Sequence, residues 1–272
     1  MNAQTQIAPV MQRSHGAAVV VLDQSMGKMR LVRLRQSGSA KVIFPHVGDI
    51  PEVVFLNTSG GLTGGDTLSF NLALGAGVKA VATTQTAERA YRAGSGHANV
   101  AVEIAVGAGG WVDWLPQETI LFEASALQRR TTIDLAGDAG CLALEAVVLG
   151  RPAMGEVVRR VMLRDTREIR RDGRVVLLEP LALDDTALLA GSAVLDGVRA
   201  FANFVMLGQG VDTALDAARA VLDEPGVDAA ASAWDGKLSV RMMAVDGWPL
   251  RQQIRRVLQA IRPQPLPRVW QM

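Results

Sequence analysis

Hydrophobic and polar residues alternate along much of the first two thirds of the chain. Every second residue is a large apolar one in residues 68–74, and the same period returns in residues 100–106. A period of two places these side chains on one face of a strand, so both stretches predict strands with one buried face. Asp-Gly pairs at residues 172–173 and 235–236 lie between β-prone runs and predict tight β-hairpins.

Glycine-rich breaks separate these alternating stretches. They fall at residues 75–77, 107–110 and 137–140, about thirty residues apart, and no sequence repeat accompanies the spacing. None is long or polar enough to be a flexible linker, so we expect turns between pairs of strands. Residues 84–93 stay open, because their composition favours a helix whereas their position between strand-like runs favours a strand.

Two helices are predicted near the C-terminus. In the first, Asp212 is the expected cap and the Pro-Gly pair at residues 225–226 ends the helix. The second begins at Trp248, with a proline in its first turn, and ends before Pro263. Its apolar stripe has the helical period and consists of Leu250, Ile254, Val257, Leu258 and Ile261.

The pattern as a whole predicts a mainly β protein. We expect stacked antiparallel or mixed sheets in one domain over residues 1–272, with a small helical element near the C-terminus. The β-rich part covers residues 1–209, and the two helices with a connecting hairpin cover residues 210–262. Residues 263–272 are rich in proline and predict an extended tail.

Composition and charge exclude several kinds of site and partner. The 28 Lys and Arg residues against 27 Asp and Glu leave a net charge of +1, too small for a protein that mainly binds nucleic acid. Cys141 is the single cysteine, which excludes a disulfide within the chain. With three histidines besides, a tight site for a transition metal is not expected.

The distribution of apolar residues predicts the cellular compartment of the protein and the use of its surface. No apolar run approaches the ~20 residues that span a bilayer, and residues 1–9 lack the pattern of a secretory signal. We therefore expect a cytoplasmic protein without a membrane partner. Since 49% of the residues are hydrophobic and 20% are charged, we expect part of the apolar surface to belong to an interface.

The most distinctive motif is the glycine-rich segment at residues 57–67. Its spacing approaches that of a phosphate-binding loop, but Asp66 stands where the phosphate-binding lysine is required. A carboxylate at that position repels phosphate, so nucleotide binding is disfavoured. Two alternatives remain: a sharp glycine turn, or a loop that brings Asp66 close to a cation or to a partner's backbone.

Acidic residues in unusual settings form the second group of candidates. Glu118 and Glu123 flank a turn or sheet edge after Pro116, and a pair of carboxylates can serve as acid and base in a hydrolase. The alternative is that both are solvated beside a tryptophan-rich core. Glu145 interrupts an apolar run, so it either pairs with Arg151 or another arginine or lines a wet cavity.

Seven arginines fall within residues 159–174, interleaved with acidic residues. Such a run is typical of a solvated hairpin face. A protein-docking surface is the alternative, because arginine is favoured at interfaces.

Taken together, these segments resemble the urease accessory protein UreD, called UreH in some organisms. The resemblance runs in order along nearly the whole chain. The matching segments are residues 34–38, 44–45, 57–66, 83–85, 87–92, 114–120, 149–151, 153–156 and 267–270. Two departures, Ser39 in place of a usual proline and residues 28–29 where a threonine is common before the arginine, touch no proposed site.

The resemblance implies a non-enzymatic scaffold for maturation of the nickel centre of urease. Members of the family bind apo-urease and, through the accessory protein UreF, recruit the GTPase UreG, which brings nickel. The family fold is a mostly β structure of stacked sheets with a helical pair near the C-terminus. A water-filled tunnel through the protein is the implied nickel route, so nickel is expected in transit and no cofactor is expected to bind tightly.

A passing nickel ion must be attracted without being retained. Scattered oxygen ligands from Asp, Glu, Ser and Thr bind Ni²⁺ weakly enough for exchange. We therefore predict that the transient path is lined by Asp66, Thr84, Glu118 and Glu145. We also predict that the helix of residues 248–261, with the tail, contributes to the UreF contact. The alternative from another class is a hydrolase that uses Glu118 and Glu123.

Overall fold

Two β-sheets hold most of the chain in the computed structural model, which describes residues 12–45, 48 and 50–271. The strands are β1 (His15–Ser25), β2 (Lys28–Gly38), β3 (Ala40–Ile43), β4 (Glu52–Asn57), β5 (Thr67–Leu74), β6 (Lys79–Thr84), β7 (Glu88–Ala90), β8 (Ala98–Val106), β9 (Trp111–Leu115), β10 (Thr119–Leu121), β11 (Ser125–Leu135), β12 (Gly140–Leu149), β13 (Val161–Arg171), β14 (Arg174–Asp184), β15 (Ala200–Leu207), β16 (Val227–Trp234) and β17 (Lys237–Ala244). The helices are α1 (Asp185–Leu189), α2 (Val211–Arg219) and α3 (Gly247–Ile261).

The two sheets are mixed and lie face to face. The first has the order β14-β13-β11-β8-β5-β1-β2, and the second has the order β16-β17-β15-β12-β9-β6-β4-β3, with β10 and β7 attached at β12. Strands in the middle of each sheet run parallel, whereas the outer pairs are antiparallel. The predicted mainly β fold of stacked mixed sheets is therefore confirmed.

Between β5 and β13 the chain crosses repeatedly from one sheet to the other, so this part of it winds around the core. The chain passes from β5 to β6, from β8 to β9 and from β11 to β12 through the three glycine-rich breaks. The breaks are turns, as predicted, but each joins strands of opposite sheets, so the spacing of about thirty residues is one turn of this winding. The turns also stack closely: a Cβ on Gly107 would lie 2.7 Å from the Ala76 nitrogen.

The main core lies between the sheets. The predicted alternation in β5 and β8 is confirmed, since their apolar side chains point inward and are buried. Phe70 of β5 meets Phe55 of β4 with ring centroids 4.7 Å apart, and Phe55 contacts Trp114 of β9 edge-on.

A second core lies on the other face of the larger sheet. The helices α2 and α3 cover this face, and Trp270 from the chain end packs beneath them. All ten residues of β12 are buried, because both faces of the strand are covered. This double burial explains why β12 reads as a continuous apolar run.

Local turn signals in the sequence had the expected outcome. Both Asp-Gly pairs form tight hairpins, β13–β14 and β16–β17, with positive φ at each aspartate and glycine. Residues 84–93 contain the end of β6 and the short β7, so the open segment is strand-like.

The helix α2 differs from the prediction at both ends. It ends at Arg219, before the Pro-Gly pair at residues 225–226 that was predicted to end it. The helix α3 begins and ends close to the predicted residues, and the Asp246 carboxylate accepts the backbone N–H of Gly247. The cap predicted at Asp212 is wrong: Gly210 precedes α2 with φ of 84°, without a side-chain cap, and Asp212 lies in the first turn. A carboxylate there still favours the helix dipole. Among the described residues, no helix combines the length and apolar character needed to cross a bilayer.

Candidate functional site

A small cavity of about 40 Å³ lies between the two sheets, large enough for a water molecule or a single ion. Its walls are apolar on one side, where Phe70 and Trp114 contribute. The polar side chains that line it are Thr84, Glu88, Gln117, Thr119, Arg129 and Glu145.

An ion pair between the sheets forms part of the wall of this cavity. Arg129 of β11 extends inward, and its Nη1 lies 2.8 Å from Glu145 Oε2 of β12 in a charge contact whose angle does not make a hydrogen bond. Glu145 Oε1 instead accepts a hydrogen bond from the Thr131 hydroxyl at 3.1 Å. Arg129 also donates from Nε to Asp165 at 3.1 Å and from Nη1 to Thr119 at 2.9 Å.

The partner of Glu145 is therefore Arg129, which the sequence left unspecified, and not Arg151. Arg151 pairs with Glu156 at 3.0 Å, near the surface. Arg129 contacts Glu145 only because β11 stacks over β12. This contact between the two sheets cannot be predicted from the local spacing of residues. One signal for it existed: Arg129 and Thr131 are polar residues at inward positions of an alternating strand.

Burial and neighbouring charges shift the pKa values of the groups around the cavity. Burial raises the pKa of the Glu145 carboxyl, and the Arg129 guanidinium opposes this. For Arg129, burial alone would lower the pKa, but the Asp165 and Glu145 carboxylates outweigh it and raise the pKa. Burial raises the pKa of Glu88 to about 7, although Asn57 donates a hydrogen bond to this carboxylate.

An open cleft of about 480 Å³ adjoins the same ion pair. Glu145 lines this cleft as well as the cavity, so it stands where the two meet. Asp165 and the buried Arg167 are also in the cleft wall. Arg167 donates to Glu179 at 2.9 Å and to the Ala143 carbonyl at 3.1 Å, which fixes the polar part of a wall that is otherwise mainly apolar.

Asp66 lies outside the lining of both spaces. Its Oδ1 accepts the Ser14 N–H at 2.8 Å and its Oδ2 accepts the Thr63 N–H at 2.8 Å, and the side chain is buried. Gly60 and Gly65 have positive φ in the same loop. The sharp-turn alternative thus describes this loop, with both carboxylate oxygens bonded to backbone.

Glu118 also lies outside the lining. Its carboxylate is 3.4 Å from Arg251 of α3, at the junction of the sheet with the helix. Of the four residues predicted for a nickel path, the structure therefore brings Thr84 and Glu145 to one cavity and leaves Asp66 and Glu118 elsewhere. Glu88, Gln117, Thr119 and Arg129 share that cavity and were not predicted.

The paired-carboxylate alternative does not fit this geometry. Glu123 accepts hydrogen bonds from the backbone N–H groups of Arg159 and Arg160 and from the Arg160 guanidinium. The Arg159 bond contributes most to lowering the pKa of Glu123 to about 2, so this group holds no proton near neutral pH. Glu118 has a different partner, Arg251, and the two carboxylates do not share a site.

The arginine run mainly contacts the protein itself. Arg167 is buried, Arg170 pairs with Glu168 at 2.6 Å, and Arg171 donates to the Ala139 carbonyl at 2.9 Å. The bonds from Arg171 to Ala139 and from Arg167 to the Ala143 carbonyl attach the hairpin to neighbouring segments, whereas the Arg170–Glu168 pair lies within β13 itself. Arg164 stays exposed on the outer face of the sheet.

The described part of the chain contains no group of three or more His, Cys, Asp or Glu side chains placed to hold a metal ion. His46 lies outside the described residues. Cys141 is buried in β12, and burial raises the pKa of its thiol to about 12, so it stays protonated at neutral pH.

Comparison with known proteins identifies the family. A family model described as "UreD urease accessory protein" matches residues 14–271. The chain belongs to the UreD family. Its relatives include the urease accessory protein UreD of Cereibacter sphaeroides (strain ATCC 17025), 62% identical over 274 residues and the full length of both chains. The UreD of Paracoccus denitrificans (strain Pd 1222) is 52% identical over 270 residues, 98% of this chain and 95% of the relative.

Relatives of lower identity are also named urease accessory protein UreD. UreD of Rhizobium leguminosarum bv. viciae is 44% identical over 265 residues, 96% of each chain. The resemblance drawn from the sequence motifs is thus confirmed, and membership of the UreD family implies a role in urease maturation.

Proposed function

We propose that this protein is a cytoplasmic scaffold that binds apo-urease and passes nickel ions towards the urease active site without turnover of its own. Its partners are UreF and, through UreF, the GTPase UreG. Membership of the UreD family supports the role in urease maturation. The observation that carries the nickel route is the position of Glu145, which lines both the small cavity between the sheets and the open cleft.

The ion pair at this position suits an ion that must move on. Glu145 and Asp165 supply carboxylate oxygens, and the single positive charge of Arg129, which contacts both, balances one of their two negative charges. A nickel ion must displace the guanidinium to bind them, and the guanidinium returns when the ion leaves. This competition keeps the affinity low, whereas free carboxylates in an apolar interior would hold a divalent cation firmly.

The proposal is tested by Glu145→Gln in cells that produce urease with its accessory proteins. The amide keeps the shape of the side chain and one acceptor oxygen but lacks the charge that attracts nickel. We expect the nickel content of purified urease to fall several-fold, while the amount of urease and UreF that co-purifies with the variant is unchanged.

Glu156→Gln is the matched control, because Glu156 also pairs with an arginine but lies near the surface and lines neither space. It is expected to load nickel like the parent protein. Normal nickel content with Glu145→Gln, in a protein that folds and assembles, would contradict the route.

A further inference from the structure

The strand β2 is an unusually open edge of the smaller sheet. It pairs with β1 on one side, and its other side is the end of the sheet among the described residues. All eleven of its residues are exposed. Every second backbone N–H and C=O group of β2 therefore points away from the sheet, available to a further strand.

One face of β2 continues the apolar inner layer beyond the point where the larger sheet covers it. The register places Leu34 opposite Val20 and Leu31 opposite Leu22, and both β1 residues are buried. Leu34 and Leu31 are 41% and 46% exposed. Val32, the extra residue at the bulge between the strands, is 62% exposed.

The opposite face of β2 is strongly cationic. Its four basic residues are Lys28, Arg30, Arg33 and Arg35. They lie across from β1 residues of which Asp23 alone is acidic. In the described part of the chain, none of the four forms an ion pair.

The other end of the same sheet shows how such an edge is normally protected. There β14 contains Pro180 next to Glu179 and leads directly into α1. A proline removes a backbone donor from the edge and so blocks the addition of a strand at that point. In β2 there is no proline and no acidic residue, so its edge is open to addition.

The charges decide what can occupy this edge. Two copies of the chain joined through β2 would place their cationic faces side by side, and like charges on neighbouring strands are destabilising. An acidic strand is attracted by the same residues, and the attraction also speeds the encounter.

We infer that β2 is a docking edge for an extended acidic segment of a partner protein, which adds to the smaller sheet as its next strand. In that segment, apolar side chains alternate with Asp or Glu. The apolar ones cover Leu31 and Leu34, and the acidic ones face Arg33 and Arg35. The inference does not depend on the route of nickel through the protein.

The test uses the full-length protein and a labelled ten-residue peptide of alternating valine and glutamate, blocked at both ends. We expect saturable binding by fluorescence anisotropy that weakens with salt, together with slower hydrogen exchange at the outward amides of β2. The double variant Arg33→Glu/Arg35→Glu should bind at least about tenfold more weakly, because four unit charges change across the contact.

Three controls make the result specific. Arg164→Glu changes an exposed arginine on the same sheet, away from the edge, and should bind like the parent. The peptide with N-methyl groups on alternate residues has the same charge but cannot form the ladder, so it should lose binding. A valine–lysine peptide should not bind.

Several outcomes would overturn the inference. Binding of the acidic peptide without slower exchange in β2 would show charge adhesion rather than strand addition. If the protein dimerises in sedimentation experiments and the β2 variants abolish the dimer, the edge binds a second copy of the chain and not an acidic segment of a partner. Slower exchange in β2 on vesicles of anionic lipid, without peptide binding, would make it a membrane contact.

Discussion

At the scale of single residues, Arg129 has the largest electrostatic role. It is the cation between Glu145 and Asp165 in the interior, and all three side chains are buried. We expect Arg129→Met to lower the free energy of unfolding by about 3–5 kcal/mol, because two buried carboxylates lose their counter-charge.

The loss should also depend on pH. Without the guanidinium, the already raised pKa of Glu145 rises further, so the folded variant favours the protonated form. Its stability is then highest at low pH and falls as pH rises and Glu145 must ionise. Urea unfolding at several pH values measures this dependence. The control is the neighbouring Arg130→Met, which should lower the free energy of unfolding far less because the Arg130 side chain is 55% exposed. A difference in the free energy of unfolding between Arg129→Met and the parent that stays constant with pH would contradict this explanation.

Glu88 gives a second pH-dependent prediction. Its pKa in the folded state is about 7, above the ordinary value of 4.5, because of burial. The folded protein binds this proton more tightly than the unfolded chain does, so Glu88 makes its full contribution to the free energy of unfolding below pH 4.5. That contribution is lost as the pH rises through 7. Relative to Glu88→Gln, the parent protein should therefore lose about 2 kcal/mol between these limits, a figure reduced for partial exposure.

The measurement is urea unfolding of both proteins between pH 4.5 and 8. The difference between them should grow through neutral pH and then level off. Equal pH dependence of the two proteins would show that Glu88 titrates normally.

At the scale of elements, the chain end and α3 form one unit. Trp270 is 1% exposed, donates from Nε1 to the Leu115 carbonyl at 2.9 Å, and stacks under Arg251 at 4.9 Å. Trp248 lies in the first turn of the same helix but is 65% exposed. Removing the tail would therefore disturb the core as well as any contact with a partner.

Two single substitutions separate these effects. Trp270→Ala should lower the free energy of unfolding by about 3–5 kcal/mol, since it opens a cavity in the second core. Trp248→Ala should leave stability nearly unchanged but weaken co-purification with UreF if α3 contributes to that contact. Thermal unfolding and a pull-down measure the two; full UreF recovery with Trp248→Ala would count against α3.

The elements also show what the sequence could predict. The Asp-Gly hairpins and the span of α3 have local signals, because turn geometry and helical period are decided within a few residues. The prediction of a cap at Asp212 was wrong because Gly210, with a positive φ, already turns the chain into α2. The partner of Glu145 was out of reach, since Arg129 meets it only when β11 stacks over β12.

At the scale of the whole molecule, the larger sheet is a middle layer. The smaller sheet covers one of its faces and the helices cover the other, so two cores share it. Much of the apolar composition goes into this double burial. The apolar interface expected from the composition must therefore use exposed residues. Among the strands that the structure describes, β2 is exposed along its whole length.

Two strands of similar length, β12 and β2, stand at opposite extremes of burial. In a library of random substitutions sorted by folding alone, β12 should be the least permissive strand and β2 the most permissive. Sorting the same library by urease activation should leave β12 unchanged but remove charge reversals from β2. Comparing the two screens would thus separate residues that this chain needs to fold from residues it needs to meet its partners.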